Sequence, residues 1–231
     1  MKAYITVFIV SVATTLLVFS AKILTQINVV LHENTFLNGM LKYQIFAFMI
    51  AFVLLIITIN ISPESKTILR FGDIGNIASK EKWLGINGVS SWRKNGLQFL
   101  FFISIPTAIF MFLGVKYSNS LHNFKLYFIP IILLFSILNS FSEEVIYRFS
   151  INGNLLKVSN PTIIFLISAI LFELPHYWGF PTGVVGVIMA GMLGYILSKA
   201  TYETSGLGIA WGVHFMQDVI IFTALLMMNV K

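Results

Sequence analysis

The sequence predicts an all-α fold, a polytopic bundle of about seven membrane-spanning helices within a range of six to eight, and three observations predict it. Of 231 residues, 57% are hydrophobic and only 10% charged, and mean hydropathy is +0.87, too little polar surface to cover a soluble globule. Apolar runs of roughly 17 to 25 residues, the length an α-helix needs to cross the hydrocarbon core, recur along nearly the whole chain. Between the second and third runs lies the one long polar segment, Ser62 to Asn95.

Taken in order, the spans read as residues 3–21, 43–61, 97–115, 126–142, 161–176, 183–199 and 207–228. Met1 to Leu17 resembles a secretory signal in its Lys2 and apolar run. No small-residue cleavage site follows, however, and Lys22 falls within a longer apolar helix, so this reads as a retained first span. Loop 62–95 carries six basic residues (Lys66, Arg70, Lys80, Lys82, Arg93 and Lys94) against three acidic ones. With that loop inside, ten Lys and Arg (2, 66, 70, 80, 82, 93, 94, 148, 157, 199) lie on the cytoplasmic side and four (42, 116, 125, 231) outside. The amino terminus is therefore expected in the cytoplasm and the carboxyl terminus outside.

A net charge of +6 and a sequence pI near 9.5 raise the question of nucleic acid. No basic run interleaved with aromatics is present, so no nucleic-acid partner is expected and the excess reads as the cytoplasmic bias of Lys and Arg. There is no cysteine, which excludes disulfides, thiolate nucleophiles and cysteine metal sites. A metal here would have to use His and carboxylates.

The two parts of the chain differ in chemistry. Residues 1–124 read as an N-terminal transmembrane scaffold with its cytoplasmic loop 62–95, and residues 125–231 as the part that carries a site. From 143 to 218 the chain places Glu143, Glu144, Arg148, Glu173, His176, His214 and Asp218 in or beside apolar helices, and ionisable groups in a membrane segment mark function by default. Gly186, Ala190 and Gly194 in the sixth span, and Gly208 and Gly212 in the seventh, repeat every fourth residue, a pattern that lets helices approach closely in lipid.

Three groups can converge. Glu144 and Arg148 are four residues apart, on one helical face, with the carboxylate first, while Glu143 is turned about 100° away. Glu144 thus reads as the structural partner and Glu143 as free for chemistry. In Phe172-Glu-Leu-Pro-His176, Pro175 removes a backbone donor and ends or kinks the helix beside the imidazole. His214 and Asp218, again four apart, can grip one metal ion together, or the Asp can orient the ring. If the fourth helix continues through Arg148 to about Leu156 and turns near Ser159, Glu143 and His176 stand at similar depth on an antiparallel pair.

These motifs, EExxxR at Glu143 to Arg148, FxxxH at Phe172 to His176 and HxxxN/D at His214 to Asp218, resemble the CAAX protease and bacteriocin-processing (Abi) family of intramembrane proteases. Gly194-Tyr195 and Thr204-Ser205-Gly206-Leu207 with Ala210 resemble the family's approach to its last histidine, and the likeness covers about residues 125 to 220. The resemblance implies an all-helical endopeptidase in which Glu143 and His176 activate a water. It further implies that His214 and Asp218 stabilise the oxyanion or bind metal, and that Glu144 pairs with Arg148.

The first part of the chain carries nothing that matches the family, and Glu173 has no assigned role. Asp218 stands where the family often has Asn, and a charged oxygen is the better ligand for a divalent ion. Glu143, His176, His214 and Asp218 would then suit zinc with one open position, while a metal-free mechanism stays open.

The expected activity is cleavage of a membrane-associated protein or peptide, with the lipid bilayer as the other partner and a bacterial cytoplasmic membrane as the location. Two other readings share these residues: a non-proteolytic protein on the same scaffold, conferring bacteriocin self-immunity or binding a regulatory partner, and an ion-coupled transporter. The transporter is disfavoured because no internal repeat is visible and the ionisable groups cluster rather than forming a path.

Overall fold

A computed structural model describes residues 2–179 and 182–230, with side chains from Tyr4 onward. Lys231, and the side chain of Lys2, which entered the charge count on either side, lie outside the described residues. Among the described residues, five helices are long and apolar enough to cross a membrane: α3 (Thr35–Ile61), α4 (Trp92–Tyr117), the run Phe128–Leu155, α8 (Gly183–Thr204) and α9 (Gly208–Asn229). The run is α5 (Phe128–Glu143), a π-helical turn at Glu144–Phe149, and α6 (Ser150–Leu155). Two shorter apolar helices, Tyr4–Val18 within α1 (Lys2–Val18) and Pro161–Tyr177, which is α7 (Pro161–Glu173) and its terminal turn, bring the apolar segments into register with the seven expected spans. The protein is an integral membrane protein.

The differences from expectation have local causes. The first helix does not run through Lys22; it breaks at Phe19, and Lys22 sits in the separate six-residue α2 (Ser20–Thr25). The second span begins at Thr35 rather than near residue 43, because Asn34 caps it with a side-chain oxygen accepting from Leu37 N at 3.1 Å. The fourth span continues past its apolar part to Leu155. Gly153 is the site of a close approach there: a Cβ on it would stand 2.7 Å from Ser65 Cβ in the loop.

Loop 62–95 is ordered against the junction of α8 and α9. Its backbone bonds that junction directly, through Asp73 N to Thr204 O, Leu207 N to Arg70 O and Gly208 N to Phe71 O. Gly72, at φ +90°, passes Gly206 so closely that a Cβ on Gly72 would meet Gly206 Cα at 2.8 Å. Glu203 near the end of α8 then accepts from Lys199 Nζ at 2.7 Å, Trp92 Nε1 at 2.9 Å and Ser79 N at 2.9 Å, and from the Ser79 hydroxyl.

Lys199 is only 2% exposed, and removing Glu203, at 2.7 Å, would leave this buried cation with Ser79 and the more distant Glu81, at 3.9 Å. Glu203→Ala is expected to loosen this junction by about 3 kcal/mol. The check is trypsin: cleavage at Lys80 and Lys82 should be much faster than in the wild type, and an unchanged rate would show that the backbone bonds alone hold the loop.

The loop basics, Lys157 (3.3 Å from Glu64) and Lys199 share this end, as the charge count assumed. Arg148 does not belong in that count. It is fully buried and ion-paired inside the bundle, so it contributes nothing to a loop's charge. At the opposite end Asn123 Nδ2 donates to Met227 O at 3.0 Å, and Leu37, Phe128 and Leu226 pack together.

The glycine pattern is half right. On α8, a Cβ at Gly194 would stand 3.0 Å from Ala169 Cα and 3.1 Å from the Phe172 ring, so α7 and α8 approach there as expected. A Cβ on Gly212 of α9 would meet nothing within 4 Å, and Gly208 abuts Phe71 of the loop rather than another helix. Gly194→Leu should push α8 off α7 and destabilise the protein by about 1–3 kcal/mol, read as a lower unfolding midpoint in detergent.

Candidate active site

Glutamate-rich sequence at the end of α5 meets a change of helical pitch. From Glu144 to Phe149 the backbone bonds widen to the π pattern, and the Ser150 hydroxyl donates to Val145 O five residues back, at 2.9 Å. Such turns are frequent at functional sites. Glu143 is 8% exposed, and Glu144 and Arg148 are sealed entirely. Arg148 Nη1 lies 3.3 Å from Glu144 Oε1, and its guanidinium stands 4.0 Å over the Phe172 ring, which replaces part of the hydration lost on burial.

His214, on α9, is 3% exposed and lies among three carboxylates. Its Nδ1 is 2.8 Å from Glu144 Oε1, and its Nε2 is 3.5 Å from Glu143 Oε2 and 3.9 Å from Asp218 Oδ2. The ring is therefore held by Glu144, on another helix, more closely than by Asp218, the partner its own helical spacing offers. Both glutamates of the pair reach this one imidazole, at different nitrogens.

Asn139 completes the cluster. Its Nδ2 donates to Asp218 Oδ2 at 3.1 Å and to Glu143 Oε1 at 3.3 Å, so one amide spans two carboxylates from α5 and α9. Sequence reasoning passed over it. The signal was present, since an amide four residues before Glu143 lies on the same helical face.

His176 stands apart from these contacts. α7 ends at Glu173, and a 3₁₀ turn over Leu174–Tyr177 follows, as Pro175 requires. The imidazole Nδ1 is 2.8 Å from Phe172 O. A carbonyl can only accept, so Nδ1 carries the proton, and the neutral ring then presents Nε2 as a bare acceptor. His176, His214, Asp218, Asn139, Gln217 and Thr107 share the wall of a cavity of about 80 Å³, room for a few water molecules. Thr107 comes from α4, so the N-terminal scaffold supplies part of that wall.

No hydrogen bond or ion pair joins Glu143 to His176 among the described residues; His176 lines the cavity with the Phe172 ring 4.7 Å from its own, and Glu143 reaches the cluster through His214 and Asn139. Glu173 is not part of this group. Its carboxylate lies over Gly191 of α8, where a Cβ would fall 1.9 Å from Oε2.

Among the described residues, no three His, Asp or Glu side chains form a group that could hold a metal ion. His214 has a carboxylate near each of its nitrogens, and His176 makes no ion pair with any of the three.

Residues 125–220, which hold every one of these groups except Thr107, match the family model of Rce1-like type II CAAX prenyl endopeptidases. This is the family that the three motifs resemble. No curated protein and no solved structure matches the chain.

Proposed function

From the Rce1-like endopeptidase pattern of residues 125–220, we propose that this membrane protein hydrolyses a peptide bond in a membrane-associated protein or peptide, using a water activated by Glu143 and His176. The observation that carries this reading is the cavity itself. The Asp218 carboxylate, the His214 ring and a bare nitrogen of His176 line a space the size of a few waters, with Glu143 behind His214 at 3.5 Å, and ionisable groups at such a depth in a membrane bundle point to chemistry.

Water is a poor nucleophile at neutral pH and needs a base, and the tetrahedral intermediate needs a donor. In this reading Glu143 and His176 take the proton of a water between them and return it to the leaving amine. His214, fixed by Glu144, meets the oxyanion. Asp218 and Asn139 hold Glu143 and His214 in place, and Arg148 neutralises Glu144. No step is routed through a metal, because the donors present do not form a ligand set.

Metal analysis of purified wild type beside His214→Ala and Asp218→Ala tests that choice. The expected result is no stoichiometric metal in any of the three; zinc bound by the wild type and lost from both variants would replace this mechanism with a metal-bound water. The function itself is tested by incubating the purified protein with a farnesylated CAAX peptide and a panel of unprenylated hydrophobic peptides. Cleavage that disappears in His176→Ala supports it, and equal cleavage by wild type and variant would end it. A host immunity phenotype that survives loss of Glu143 would favour the non-proteolytic alternative. The positive loop end is placed in the cytoplasm on charge alone, and a bacterial cytoplasmic membrane is the proposed location.

A further inference from the structure

Gln217 is a polar side chain of the cavity wall that this mechanism does not use. Gln217, on α9 and 4% exposed, lines the cavity beside His214 and Asp218. Its Nε2 donates to Ser104 Oγ on α4 at 2.8 Å, which fixes the plane of the amide, while its Oε1 is buried and has no hydrogen-bond partner. A buried acceptor left without a donor is unfavourable, and such atoms are few in folded proteins. Gln217 lies three residues beyond His214, on the same face of the helix.

We propose that Gln217 Oε1 accepts a backbone N–H of the substrate and is a positioning residue for the hydrolysis, a role that rests on the proteolytic reading above. A donor carried into the cavity beside Gln217 would meet this unpaired oxygen. A peptide brings one N–H per residue, but only where its backbone is not helical, because helices in lipid satisfy every N–H internally. Gln217 therefore favours a substrate segment unwound at the cleavage site, and returns to it one of the hydrogen bonds that unwinding removes. The Ser104 tether makes α4, outside the matched segment, a determinant of how the substrate lies.

The test uses a hydrophobic peptide that the wild-type protein cleaves in detergent micelles. It is resynthesised as a series in which one N–H at a time, away from the scissile bond, is replaced by an ester oxygen. In the wild type, one position should lose about tenfold in kcat/KM, mainly through KM, the size of one lost hydrogen bond in a closed site. In Gln217→Leu the all-amide peptide should lose about the same factor, and the ester at that position should cause no further loss. Gln217→Glu, which keeps an acceptor, should retain the ester penalty. Ser104→Ala should raise KM while retaining it, and this second variant keeps the test informative if Gln217→Leu folds poorly.

Ester penalties of the same size in wild type and Gln217→Leu would overturn the proposal while leaving the proteolytic reading intact. So would an unchanged KM in a well-folded Gln217→Leu. A wild type that cleaves none of the peptides would defeat both together.

Discussion

Glu143→Gln is expected to reduce peptide cleavage by at least about 100-fold while leaving the unfolding midpoint close to that of the wild type. Glutamine has the same shape, and its amide oxygen can still accept from Asn139 Nδ2, now 3.3 Å from Glu143 Oε1. What it loses is basicity, so a water in the cavity keeps its proton. The measurement is kcat/KM on a peptide the wild type cuts, paired with thermal unfolding in detergent. Cleavage at the wild-type rate would remove Glu143 from the mechanism, whereas a large fall in stability would give it a structural role.

Glu144→Gln should behave differently, losing about 3–5 kcal/mol of stability along with activity. Glu144 has no solvent exposure, and one of its oxygens faces both His214 Nδ1 and Arg148. Neutralising it removes the carboxylate 3.3 Å from a guanidinium sealed in the bundle over the Phe172 ring, and breaking such a buried pair from one side is among the most damaging changes known for a folded protein. Denaturant titration of the two variants side by side decides the matter. Equal losses of stability at Glu143 and Glu144 would contradict their division of labour.

Much of the fold was legible because lipid imposes a coarse and strict rule. A span needs a long apolar run, and each expected run corresponds to an apolar helix, including the fourth, which continues to Leu155 as a common depth for Glu143 and His176 requires. Glu144 and Arg148 could be paired from spacing because both lie on one element. Spacing cannot see across elements. His214 has Asp218 four residues on, but the oxygen nearest to it belongs to Glu144, seventy residues back in the chain.

Asn139 and Gln217 escaped notice because amides carry no charge to make them conspicuous in an apolar run. The ordered loop escaped notice because its order comes from residues 199–208, which no local pattern in 62–95 announces. Composition divided the chain into a scaffold and a site, yet Ser104 and Thr107 of the scaffold touch the site's own cavity or its lining.

The π-helical turn at Glu144–Phe149 makes segment length, as distinct from composition, a constraint on this protein. An α-helix tolerates many substitutions, but the removal of one residue between 144 and 149 would close the turn to α pitch. Everything before it would rotate by about 100° relative to everything after it. Asn139 and Glu143 would then leave the side facing Asp218 and His214, while Arg148 kept its place over Phe172. Genetic variation that preserves function should therefore include apolar replacements of similar volume at the buried Val145, Ile146 and Phe149 and no insertions or deletions among them, a reading-frame rule enforced by backbone geometry.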